Sequence, residues 1–204
     1  MPLYGLCYRH NNQVSAVIEP GASLIHARTR AALMLQSRHP SNRQQCPCRT
    51  NTPPLRHGSA YSFADWPNPS VLPFGAGVYT IWHNDGRFIY VGMSGRGITA
   101  ETIRRNTPQG IYTRLRSHAS GRRSGDQFCV YVADRLVLPT LSQQDIAAIA
   151  SGRHHMDAFV RRYIHENLSY RFVMLPDGVA AYAIEASIKN GEWEHGRPLL
   201  NPGG

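Results

Sequence analysis

The stretch GVYTIWHNDGRFIYVG, residues 77–92, constrains the fold more than any other part of the chain. Two runs rich in β-branched and aromatic residues flank Asn-Asp-Gly, which signals an antiparallel hairpin. A two-residue type I′ loop at Asp85–Gly86 suits that pair, because both loop positions need positive φ. In that register Asn84 faces Arg87, Ile81 faces Tyr90 and Tyr79 faces Gly92. Residues facing each other across a ladder project to the same side. Tyr79, Ile81, Tyr90 and Gly92 then share one face, and the absent side chain at Gly92 leaves space beside the Tyr79 phenol. A three-residue loop would put the two tyrosines on opposite faces. By itself, a hairpin with two tyrosines is ordinary strand packing.

The chain has 204 residues, enough for one domain and a tail. Residues 1–60 are rich in Pro, Arg, Asn and Ser with no sustained period, and read as a poorly ordered extension in which only residues 23–37 have helical character. Residues 64–74 are an extended, proline-punctuated lead-in to the hairpin, so the patterned domain spans 61–204. Beyond the hairpin, TAETIRR suggests a short helix and residues 108–120 a longer one. DQFCVYVADRLVL (126–138) reads as a strand. Two helices follow within 141–166, the first with Ser142 as N-cap and Gly152 as its stop. SYRFVMLPDG is a further strand, and VAAYAIEASIKNG is a helix stopped by Gly191. The expected class is α+β, with helices packed on a small antiparallel sheet.

No apolar run approaches membrane-spanning length, and the N-terminus lacks the basic-then-apolar order of a secretory signal. The expectation is a cytoplasmic protein with no membrane partner. Cys46 and Cys48 are one residue too close for a CxxC knuckle, and Cys7 and Cys129 supply no second pair, so the thiols read as reduced and free of zinc.

Net charge is +9, unevenly spread. Residues 87–123 hold eight arginines against Glu101 alone, whereas residues 124–204 are slightly acidic. A basic cluster on a folded segment fits a polyanionic partner, most often nucleic acid. A solvated face is the plainer account.

Two further elements carry chemistry. In GIYTRLRSHAS, Arg114 and His118 are four apart and share a helix face. The planar guanidinium of Arg114 is suited to a phosphate, and Arg116, Arg122 and Arg123 could track a nucleic-acid backbone. Glu185 lies at the edge of the stripe formed by Ala181, Ile184 and Ile188, about 40° from Ala181 at the helical period. An inward carboxylate needs a partner or a metal. A salt bridge to a neighbouring arginine satisfies it, and so does Mg²⁺, which accepts one protein oxygen with water and phosphate. A phenol pair, an Arg/His pair and one carboxylate are the parts of metal-assisted phosphodiester hydrolysis.

GVY, ten residues, then YVG resembles the signature of the GIY-YIG nuclease superfamily, and TRLRSH resembles that family's Arg-Leu-x-x-His helix. Glu185 and Asn201 follow in the family's order, so the resemblance covers roughly residues 75–202. It implies a small three-stranded antiparallel sheet flanked by helices. Tyr79 would be the general base or orient the water, and Tyr90 would hydrogen-bond water or phosphate. Arg114 would stabilise charge on phosphorus, and His118 would position the phosphate or Tyr79. Glu185 would hold one Mg²⁺ or Mn²⁺ ion, and Asn201 would hold the site's geometry or bond within it.

Met93 stands where many members carry a lysine or polar residue, and Arg96 is the nearest basic substitute. The insertion between the Arg and Glu helices, read as a strand and two helices, is long and resembles the restriction-enzyme type more than the compact repair type. The expected activity is DNA endonuclease, with a homodimer as one route to double-strand cleavage. A non-catalytic nucleic-acid-binding module of the same fold is the alternative, and a structural or partner-binding domain is a third reading.

Overall fold

In the computed structural model, which describes residues 53–103 and 107–201, the strand carrying GVYTIW lies inside a sheet rather than in a two-stranded hairpin. The strands are β1 (Tyr61–Ser62), β2 (Ala76–His83), β3 (Phe88–Ser94) and β4 (Leu168–Leu175). They form one antiparallel sheet in the order β1-β4-β2-β3. The helices are α1 (Pro53–His57), α2 (Ile111–Ser120), α3 (Gln127–Val132), α4 (Gln143–Ala150), α5 (Met156–Asn167) and α6 (Gly178–Lys189). The α+β class therefore holds, with four strands instead of three. The extra strand, β1, is two residues long, too short to show a period in the sequence.

Every residue of β2 except His83 is buried, because helices cover both faces of the sheet. On one face Tyr79, Ile81 and Ile89 join Ile111 and Leu115 of α2, Phe128 and Val132 of α3, and Val160 and Ile164 of α5. On the other, Val78, Trp82, Phe88 and Val91 pack with Ala181, Ile184 and Ile188 of α6, together with Leu55 and Trp193. Trp82 stacks on Phe88 with ring centroids 4.8 Å apart, and its indole N–H donates to Thr80 Oγ1 at 2.9 Å.

The hairpin pairs as expected beyond its turn, Ile81 with Tyr90 and Tyr79 with Gly92, but the turn itself differs. His83 N–H donates to the Arg87 carbonyl at 3.0 Å, and Gly86 N–H donates back to the His83 carbonyl at 2.9 Å. The loop is thus three residues, Asn84–Gly86, with Gly86 at φ 89°, a conformation favourable to glycine. The two-residue loop is corrected accordingly. A three-residue loop alone would send the tyrosines to opposite faces. The register shifts, however, between Trp82–Phe88 and Ile81–Tyr90, leaving Ile89 as an extra residue in β3. This bulge restores the parity, and both Ile89 and Tyr90 belong to the Tyr79 side of the sheet.

Residues 126–138 are helical, not the expected strand. α3 runs on through a π-helical turn, Ala133–Val137, into a 3₁₀ turn, Leu138–Thr140. The buried residues are Phe128, Cys129, Val132, Ala133, Leu136 and Val137, a spacing of one and then three that belongs to a helix stripe. Val130 and Tyr131, which made the segment look like a strand, are only partly covered. The Asp126 side chain starts the helix by accepting from the N–H groups of Phe128 and Cys129. The insertion is therefore entirely helical. Ser142 does form a capping box with Asp145 at the start of α4, and Gly152 follows its end with φ 74°.

No helix forms over residues 99–103, which are held by hydrogen bonds between Thr99 and Thr102. The expected helical character of 23–37, and Cys7, Cys46 and Cys48, lie outside the described residues. Among the described residues no helix is long and apolar enough to cross a membrane.

Candidate active site

Tyr79 sits in the middle of β2 with its ring on the α2 side of the sheet and is 1% exposed. Its phenol crosses to β3 and lies over Gly92. A Cβ at Gly92 would collide with the Tyr79 hydroxyl and its ring carbon, and would also crowd Tyr90. The space beside Gly92 is therefore taken by the phenol itself. This corrects the expectation of an open gap there: the glycine admits the tyrosine.

The Tyr79 hydroxyl meets His118 Nε2 at 2.7 Å, and His118 Nδ1 meets Asp126 Oδ2 at 2.7 Å. Three elements supply this chain: β2, the last turn of α2, and the N-cap of α3. All three side chains are buried. Burial lowers the pKa of His118 below its ordinary value, with the Asp126 hydrogen bond acting in the opposite direction. Burial also works against the Asp126 carboxylate, yet its hydrogen bond and charge interaction with His118 keep its pKa below the usual value. At neutral pH the chain is a carboxylate, a neutral imidazole and a phenol. A carboxylate can only accept, so the imidazole proton is on Nδ1 and Nε2 accepts from the phenol. Burial, then Tyr90, raises the Tyr79 pKa well above its ordinary value, with Arg114 opposing. The phenol does not ionise on its own near neutrality.

Tyr90 is partly buried, with its ring 6.3 Å from that of Tyr79 and 5.1 Å from Phe128. Burial, then the charge of Glu185, pushes its pKa up to about 12, while Arg114 lowers it. The charges of Arg114 and Glu185 thus both reach the two phenols, from α2 and α6. Arg114 is exposed, one helical turn before His118, and makes no ion pair among the described residues. Glu185 is 9% exposed, and its Oε1 accepts the Met93 N–H of β3 at 3.1 Å. Lys189, four residues on, approaches the same oxygen at 3.0 Å. Met93 is therefore useful at this position through its backbone, which needs no particular side chain.

Glu185 fits a hard divalent cation by its chemistry. It offers carboxylate oxygen at a nearly buried position, and Mg²⁺ completes its shell with water and phosphate oxygens. The one group of three metal-ligating side chains among the described residues is His118, Asp126 and Cys129, with ligand atoms within 4.8 Å of one another. In this arrangement His118 Nδ1 and Asp126 Oδ2 are hydrogen-bonded to each other at 2.7 Å. Cys129 turns its thiol to the His118 carbonyl at 3.6 Å, and burial raises the thiol pKa, which keeps it protonated.

Asn201 works on the backbone. Its Oδ1 accepts the Val91 N–H at 2.8 Å and its Nδ2 donates to the Val91 carbonyl at 2.9 Å. With Leu199 and Leu200 donating to the Phe88 and Ile89 carbonyls, it closes the outer edge of β3 beside Tyr90. Arg96 follows β3 and stacks over Tyr182, 4.9 Å from the ring centre. Arg116 and Arg122 line a groove of 340 Å³ with Thr113, Ser117, Ser120 and Ser124. Arg123 pairs with Asp157 at 2.7 Å, so its charge is already matched.

Sequence reasoning missed Asp126, because the segment it opens was read as a strand. The available signal was an Asp directly ahead of a buried pair, Phe128 and Cys129, that repeats four residues on at Val132 and Ala133. No family model, curated protein or solved structure matches this chain.

Proposed function

We propose that this protein is a divalent-metal-dependent endonuclease that hydrolyses phosphodiester bonds in DNA. The observation that carries the reading is a convergence at the hairpin. Tyr79 is hydrogen-bonded to His118, Arg114 stands free one turn away, and Glu185 is anchored to the Met93 N–H of the same hairpin. This agrees with the GIY-YIG resemblance. Glu185 would hold Mg²⁺ or Mn²⁺, which supplies charge neutralisation at the phosphate. The exposed Arg114 guanidinium binds the scissile phosphate and offsets charge on the equatorial oxygens. Tyr90 orients the attacking water, and Tyr79 receives a proton from it. Arg96, Arg116 and Arg122 hold the flanking backbone.

The test is cleavage of supercoiled plasmid with Mg²⁺ or Mn²⁺, abolished by chelation and by Glu185→Ala. Wild-type protein that leaves plasmid intact with both ions defeats the reading.

A second reading, a nucleic-acid-binding module without catalysis, is favoured by two specific features. Tyr79 is almost fully covered, and Lys189 already faces the Glu185 carboxylate. It expects Glu185→Ala to leave DNA affinity intact and no cutting under any metal.

A further inference from the structure

We infer that Asp126 is a positioning residue that fixes His118 as the acceptor of the Tyr79 proton. This rests on the nuclease reading for its catalytic consequence, but its structural content stands independently of that reading.

The two oxygens of Asp126 have separate tasks. Oδ1 accepts the Phe128 and Cys129 N–H groups at 3.1 and 3.4 Å, which starts α3. Oδ2 takes the His118 Nδ1 proton at 2.7 Å. Nε2 is thereby left with a lone pair aimed at the Tyr79 hydroxyl, 2.7 Å away. The carboxylate that opens the helix therefore also sets the tautomer.

This answers how a buried phenol can act as a base without becoming a free phenolate. The attacking water forms its bond to phosphorus and passes one proton to the Tyr79 oxygen. The phenol's own proton moves at the same time to His118 Nε2. The ester oxygen leaves with the bonding electron pair and is protonated by solvent. The imidazolium formed lies against the Asp126 carboxylate, and its proton returns through Tyr79 to water after product leaves. Asp126 changes no bond and touches no substrate.

Asp126→Asn isolates the second task. Asparagine is an equally good N-cap, so its carbonyl oxygen keeps the Phe128 and Cys129 contacts. Its amide then faces His118 Nδ1 with a donor, which forces the ring proton to Nε2 and turns the relay around. Two measurements on the full chain decide the matter. In ¹⁵N-resolved imidazole spectra, wild-type His118 should carry its proton on Nδ1 and the variant on Nε2. In plasmid cleavage, the variant should lose about 10²–10⁴-fold in kcat, the usual contribution of acid–base catalysis, with KM unchanged. Thermal melting checks that the variant is folded, and Asp126→Ser, which keeps the cap but removes the carboxylate, should lose activity similarly. Wild-type His118 protonated on Nε2 overturns the inference, as does an Asp126→Asn enzyme that cuts like wild type. A wild type that never cuts fails the nuclease reading. In that same sample, a proton on Nδ1 upholds the assignment of Asp126 and one on Nε2 overturns it.

Discussion

A methyl group added at Gly92 would overlap the Tyr79 hydroxyl and press on Tyr90. Gly92→Ala should therefore push the phenol off His118 and cost about 1–3 kcal/mol, the usual penalty of overfilling a packed core. Denaturant melting gives the loss, and plasmid cleavage should fall with it. A variant as stable as wild type would mean that the tyrosine has somewhere else to go. His118 makes a prediction about pH. Its folded-state pKa lies below the ordinary value of about 6.5, so the unfolded chain takes up the proton first. Its contribution to stability is complete above that pH and is lost as pH falls through the lower folded value. Tyr79 and Tyr90 stay protonated across this range, and Asp126 titrates only in stronger acid. Stability should decline with acid below about 6.5 in wild type, and His118→Gln should flatten that decline. Equal slopes in the two proteins would remove His118 as the cause.

The closure of β3 can be tested through Asn201, whose two hydrogen bonds to Val91 replace a neighbouring strand. Asn201→Ala leaves both Val91 groups without that partner and should cost about 1–3 kcal/mol. Amide exchange at Val91 should accelerate more than at Val78 in the centre of the sheet. Much of this hairpin was legible because side-chain alternation is a strong local rule: Tyr79 and Tyr90 share a face, and Ile81 pairs with Tyr90. The route was not legible. An odd loop and a bulge at Ile89 compensate each other, and neither leaves a distinct mark in HNDGRFIYV. α3 was misread because Phe128, Val130, Tyr131 and Val132 all favour strands locally. Burial against α5 and the Asp126 cap decide for the helix. The contact between Glu185 and Met93 joins residues 92 positions apart, which no local pattern encodes.

Charge is the property that belongs to the molecule as a whole. If DNA binding engages Arg96, Arg114, Arg116 and Arg122, the affinity should fall with salt at a log–log slope of about −3 to −4. Arg116→Ala and Arg122→Ala should each reduce that slope by about one. Arg123→Ala should change it least, because Asp157 already neutralises that guanidinium. Titrations of labelled duplex at several salt concentrations read all three, and a flat salt response would exclude the arginine block as a DNA surface.

The covered edge of β3 also has a history in folding. The β2–β3 hairpin is local and can form as soon as residues 76–94 meet. The groups that seal its outer side arrive from 92 and 110 residues further along the chain. Contacts of such separation form late. Until they do, a strand rich in Phe, Ile, Tyr and Val presents bare backbone, which other chains can pair with. Glu185 and Asn201 therefore act on this hairpin during folding, as the groups that take its edge away from aggregation.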